Sequence, residues 1–300
     1  LFPPELLRTI AILLAVIGAV FLSLGAQFQN DAVGKHHVSK QVVPSSLSLR
    51  QLLNLLKRPR WLTGTSFLVL AVVFQLGALA LAPLIVVQPI GALALIITSM
   101  LNARINKVRL DLKTFLAIGM TMFGVGTFVF FAASSATQVR MSDGKLLVIV
   151  GILFGLLILF GALFYISKGK VGPLNYIFGA GVLYGFVASL AKVVLLRVSQ
   201  GDFDLLTLLA AVALISAAIL GGWFVQNAYA SGPPDLVIAG LTVIDPAVAV
   251  GIGIVILGEA AEASLLQIIG FGVAGAIAAA GVVMLSKVHP ELSQQIESYD

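Results

Sequence analysis

Phe74-Gln75-Leu-Gly-Ala-Leu-Ala-Leu-Ala-Pro83 and Val225-Gln226-Asn-Ala-Tyr-Ala-Ser-Gly-Pro-Pro234 take matching places in the two halves of the chain. In each, a glutamine sits in an apolar run with seven residues between it and a proline. The same shift of 151 places Gly119 on Gly270 and Gly124 on Gly275 with no gap between. The matched stretches are apolar spans of matching length, so the pattern reads as a duplicated membrane unit, which is the sequence mark of a transporter.

Composition agrees. Of 300 residues, 10% are charged and 59% hydrophobic, and mean hydropathy is +1.08. Soluble domains carry roughly 25% charged residues, whereas runs of about 20 apolar residues match the hydrocarbon thickness of a bilayer. The expectation is an all-α polytopic membrane protein. Apolar windows predict nine spans, at 7–28, 61–81, 84–103, 113–133, 146–166, 174–197, 204–229, 234–257 and 265–286. The first has Arg8 at its head; no small-residue cleavage site follows and it is long enough to cross, so it reads as a helix and not a cleaved signal.

The duplicated units fall on 1–133 and 174–300, with a linker helix in 134–173. A single spacer helix makes the second copy enter from the opposite side, giving an inverted repeat of four, one and four helices. Nine spans put the termini on opposite faces. Arg8, Arg140, Lys145 and Arg197 lie in one set of connections, Lys192 lies within a span, and the other thirteen Lys and Arg lie in the opposite set. The positive-inside rule then predicts an outer N-terminus and a cytoplasmic C-terminus in the plasma (inner) membrane. That loop bias accounts for the net charge of +5 without a nucleic-acid partner. The one long connection, 29–60, places Leu49, Leu52, Leu53 and Leu56 at helical spacing among Arg50, Asn54, Lys57 and Arg58, the pattern of an amphipathic helix on the inner leaflet.

Catalytic chemistry finds little footing. The chain has no Cys, and His36, His37 and His289 lie outside the spans, so neither thiolate nor imidazole metal spacing is present. There is no phosphate-cradling glycine loop with Lys and Ser or Thr. No enzyme activity and no cofactor are expected. Asp202 with Asp204 and Glu259 with Glu262 read as solvated acids at outer connections.

Polar groups within spans are costly and mark pathways. Asp245 lies midway along the eighth span, followed by Pro246, whose missing N–H is expected to bend the helix and free a carbonyl. Protonated and bonded to a neighbouring helix it would be structural; ionised beside a broken helix it would be a cation or proton site. Lys192 either snorkels outward or answers Asp245, from which it differs in depth by roughly 9 Å at about 1.5 Å per residue. Gln75 and the pair Gln226 and Asn227 are expected to face each other across the repeat axis, bonding either substrate or one another. Gln88 and Pro89 begin a break in the third span. Glycines 119, 124, 126, 270, 272, 275 and 281 are expected to permit close helix packing.

Ala78-Leu-Ala-Leu-Ala-Pro-Leu-Ile-Val-Val-Gln-Pro-Ile-Gly-Ala-Leu93, Ala188-Ser-Leu-Ala-Lys-Val193 and the spacing of Pro246 to Glu259 resemble the drug/metabolite transporter superfamily, in its branch of EamA-like and NIPA-type magnesium transporters. The resemblance spans nearly the whole chain. It implies alternating access by an inverted-repeat bundle around a central cavity, with roles carried over to Lys192, Pro89, Pro246 and Glu259. Val72 and Val108 stand where eukaryotic NIPA-type members carry acids, which removes oxygen ligands that Mg²⁺ would want. The expected function is therefore secondary transport of a small polar or amphiphilic metabolite, proton-coupled through Asp245. A divalent cation (Mg²⁺) permease and a flippase of a lipid or lipid-linked substrate are the alternatives. Membrane lipids are the expected surroundings; metal ligands, substrate identity, oligomeric state and the native N-terminus stay open.

Overall fold

A computed structural model describes residues 3–34, 59–105, 111–137, 141–166, 172–231 and 234–287. Among them all regular structure is helical: α1 (Pro4–Gly34), α2 (Pro59–Leu81), α3 (Leu84–Val87), a 3₁₀ segment (Gln88–Ala92), α4 (Leu93–Ile105), α5 (Leu112–Ser135), α6 (Asp143–Ile166), α7 (Pro173–Gln200), α8 (Leu205–Ser231), α9 (Pro234–Ile252), a π segment (Gly253–Leu257) and α10 (Leu265–Lys287). These supply nine apolar spans long enough to cross a bilayer, each within a few residues of the expected bounds. The chain is a multi-pass membrane protein by that measure. The amphipathic stretch within 29–60, His36, His37, His289, Val108 and Arg140 lie outside the described residues.

Local chemistry sets the helix ends. Proline heads α1, α2, α7 and α9, a position where its missing N–H is unused. Asp111 caps α5 by accepting from Thr114 N at 2.8 Å, and Asp204 caps α8 through Thr207 N at 2.9 Å. Ser264 and Gln267 exchange bonds at the start of α10, a capping box.

The helices pack chiefly as pairs: α1 on α2, α7 on α8, and α5 on α10, with α9 laid against α7. By the sequence repeat α2 corresponds to α8 and α5 to α10. The α5–α10 contact is close because Gly124 and Gly281 have no side chain: a Cβ at Gly124 would lie 2.8 Å from Ala274 O, and one at Gly281 2.9 Å from Ala117 O. Gly119, Gly126 and Gly272 face open space instead, so the packing expectation holds for only part of that set. Helix α6, the single helix between the repeated sequences, rests on α7 and α8 and turns much of its surface outward.

Two breaks differ in kind. The expected interruption at Gln88 and Pro89 is present as the 3₁₀ segment. At Pro246 the expected break is absent: α9 runs through it to Ile252 and yields only at the π segment. Proline deprives the Thr242 carbonyl of its helical donor, as expected.

Candidate functional site

Asp245 is brought against α7 by two glycines. A Cβ on Gly181 would lie 2.7 Å from the Ile244 side chain, and one on Gly185 2.6 Å from Val248 and 3.0 Å from Asp245 O, so α9 approaches as a backbone. Tyr184, between these glycines on α7, has its ring over Gly221 and Gly222 of α8. Asp245 is half-buried. Its Oδ1 is shielded from solvent and receives no hydrogen bond among the described residues.

Other expected site residues scatter around it. Gln88 is buried in the 3₁₀ segment, which packs against α9, and its Nε2 is likewise without an acceptor. Ser99 Oγ in α4 shares that condition. Gln75 is half-buried in α2. Gln226 is exposed and Asn227 donates to Trp223 O at 2.8 Å; α2 and α8 form no extensively packed pair. The two glutamines lie on helices that pack chiefly on α1 and α7 respectively. Trp223 joins Tyr176, Phe164 and Phe224 in an aromatic cluster, and the Tyr229 side chain lies outside the described residues.

Lys192 does something else. It is 1% exposed, and its Nζ donates to Leu79 O and, at 2.8 Å, to Ala82 O. These are carbonyls at the C-terminal end of α2, where cations are favoured by the helix dipole. It neither snorkels nor meets Asp245. Packing α7 deep between α2 and α9 puts the ammonium against the α2–α3 turn, where unbonded carbonyls outcompete a more distant carboxylate.

Glu259 corrects the expectation of a solvated acid, being 2% exposed. Its Oε1 accepts from Leu84 N at 2.9 Å and its Oε2 from Ile85 N at 3.0 Å, so it caps the start of α3 beyond Pro83. The π segment and Gly258, at φ +76°, swing the chain inward to deliver it. Gly253 makes room: a Cβ there would sit 2.7 Å from Oε2 and 3.1 Å from Ile85 Cγ2. Backbone bonds complete the grip, from Glu259 N to Gly253 O at 2.9 Å and from Thr137 N to Glu259 O at 2.8 Å. Lys145 Nζ donates to Leu257 O at 2.6 Å. The spacing from Pro246 to Glu259, with glycines at 253 and 258, was the signal in the sequence for this corner.

The same end of the bundle is stitched further. Arg197, 1% exposed, pairs with Asp143 at 2.6 Å and Asp204 at 2.7 Å and donates from Nε to Thr207 Oγ1 at 2.8 Å, tying α6, α7 and α8. Asp204 is therefore partnered; Thr207 N–H first, and then Arg197, hold it below the usual carboxylate range. Arg8 donates to Ala133 O and Ala136 O, joining α1 to the end of α5. Among the described residues no three of His, Cys, Asp and Glu converge as metal ligands would.

The chain is similar to an uncharacterized protein of Corynebacterium glutamicum, at 29% identity over 285 residues that cover 93% of this chain and 95% of the relative. No family model and no solved structure matches it.

Proposed function

We propose that this chain is a secondary transporter of the drug/metabolite type, carrying a small polar or amphiphilic metabolite by alternating access, with Asp245 binding the substrate or an accompanying proton. The observation that carries this is the unpartnered Oδ1 of Asp245 within a membrane span. A mid-bilayer Asp costs about 2.5–3.5 kcal/mol on insertion scales, and a purely structural acid would recover that through hydrogen bonds. A binding group stays unsatisfied until its ligand arrives.

The sequence repeat, together with the corresponding pairs α1–α2 and α7–α8 and the self-corresponding pair α5–α10, supports two inverted four-helix halves joined by α6. Such halves rock against each other around a central site. On this reading Glu259, Arg197 and the N-terminus face outward and the C-terminus is cytoplasmic, as the Lys and Arg distribution favours.

The test is thermal unfolding of the purified protein against Mg²⁺ and other divalent cations, polar metabolites, prenyl phosphates and phospholipid head groups, with Asp245→Asn beside the parent. A ligand at about 100 times its Kd adds roughly 2.7 kcal/mol. Stabilisation by a metabolite that disappears in Asp245→Asn supports the proposal. Stabilisation by Mg²⁺ alone replaces it with a cation permease, and by lipid head groups alone with a flippase.

A further inference from the structure

We propose that Lys192 and Glu259 form a latch on the α2–α3 turn that closes one end of the transport pathway, and that this end opens by α3 leaving Glu259. The inference rests on the alternating-access reading and adds the moving part to it.

Four observations converge on the turn. Ala82 and the whole of α3, Leu84 to Val87, are 0% exposed, although they lie where one span ends and the next begins, a place where chains ordinarily meet water. The groups holding the turn come from the other half of the sequence: Lys192 from α7 and Glu259 from beyond α9. Every bond they make to it is to backbone, so the turn's apolar sequence is free to be small and close-packed while its exposed helix-end dipoles are neutralised from outside. Finally, α1 packs extensively only on elements of its own half, and the contact of α2 with the other half is with α7, where Lys192 makes its bonds at the turn. The α1–α2 pair is thus clamped to the second half at this end by a few polar bonds, while α5–α10 packing and the Thr137–Glu259 backbone bond join the halves independently of the turn.

Such a joint is bistable. Two N–H groups and two carbonyls are either all satisfied by the Lys192–Glu259 grip or, when the turn leaves it, satisfied by water; intermediate positions leave buried groups unpaired and are costly. Gly253 sets the fit, since any side chain there displaces the carboxylate. The repeat places Val108, which lies outside the described residues, opposite Glu259.

The chain contains no Cys, so single thiols report directly. Val86→Cys places a reporter behind the latch, and Ile149→Cys places a control in the wall of the same end, on α6; both residues are 0% exposed. Each is combined with Glu259→Gln and treated with a membrane-impermeant maleimide on both sides of sealed vesicles. The expected result is labelling of Val86→Cys faster by roughly tenfold or more in Glu259→Gln, with Ile149→Cys unchanged. No gain at Val86→Cys overturns the latch. An equal gain at both positions also overturns it, because the substitution then loosens the bundle as a whole. If Glu259→Gln does not reach the membrane, Lys192→Met carries the same comparison. Release of Val86→Cys with no transported substrate ever found leaves the latch standing and removes the transport reading; transport with Val86→Cys inert in both variants does the reverse.

Discussion

Lys192 and Glu259 hold opposite sides of the single turn Ala82–Pro83: the ammonium takes carbonyls of Leu79 and Ala82, and the carboxylate takes N–H groups of Leu84 and Ile85. Neither touches the other, yet each neutralises a helix end that the other half of the chain buries.

Removing one member should therefore expose the other's dependence. Lys192→Met is expected to destabilise the protein by about 1–3 kcal/mol, the range for leaving buried polar groups unsatisfied. Glu259→Gln should cost about 1–3 kcal/mol for the N–H groups it satisfies poorly. The double variant should lose less than the sum by at least about 0.5 kcal/mol. Equilibrium unfolding in detergent gives the four corners of the cycle; strict additivity would show that the two caps act independently.

Gly253→Ala tests the fit without touching a charge. A Cβ 2.7 Å from Glu259 Oε2 must displace the carboxylate, and a loss of about 1–3 kcal/mol is expected. Gly251→Ala, which meets open space at the end of α9, should be neutral or stabilising by up to about 1 kcal/mol. Equal behaviour of the two in a thermal melt would argue against a snug corner.

Between α5 and α10, Gly124→Val should cost about 1–3 kcal/mol by overpacking, since its first carbon already meets Ala274 O and Ala278. Gly119→Ala, open to the surroundings, serves as the tolerant partner. Expression level and melting midpoint of the two variants decide the matter.

Asp204 should matter only away from acid. Its folded value lies below the ordinary 3.8, so its contribution is fully present above 3.8 and fades as pH falls through the lower folded value. The midpoint difference between parent and Asp204→Asn is expected to be constant from neutral pH down to the ordinary carboxylate value and to shrink below it. A difference that grows on acidification would reverse the assigned sign.

Asp245 should behave as a functional residue that costs stability. With Oδ1 unpartnered, Asp245→Asn is expected to leave the melting midpoint unchanged or raise it, by up to about 1–3 kcal/mol in stability, while abolishing any ligand-induced shift. A large destabilisation would mean that Asp245 is a structural acid.

Much of the membrane architecture was legible in order along the chain. Hydropathy, proline starts and glycine ends are local properties, so all nine spans fell within a few residues of their observed limits, and Gln88-Pro89 marked its break correctly. Pro246 did not end its helix, because one missing donor leaves the turns on either side bonded. The site was legible residue by residue but not as contacts: Asp245 stood out as a mid-span acid, whereas Tyr184 on neighbouring α7 looked like any aromatic in an apolar run.

The sequence by itself determined that the chain carries apolar runs long enough to cross a membrane, because bilayer-length runs survive in one dimension. Only the tertiary structure decided which charges meet. Glu259 reads as a loop acid until the π segment and Gly258 turn it under α3, and Lys192 reads as a partner for Asp245 until the unbonded carbonyls of α2 arrive beside it. In an apolar interior each charge takes the nearest complementary group, and which group is nearest is fixed by how distant helices pack.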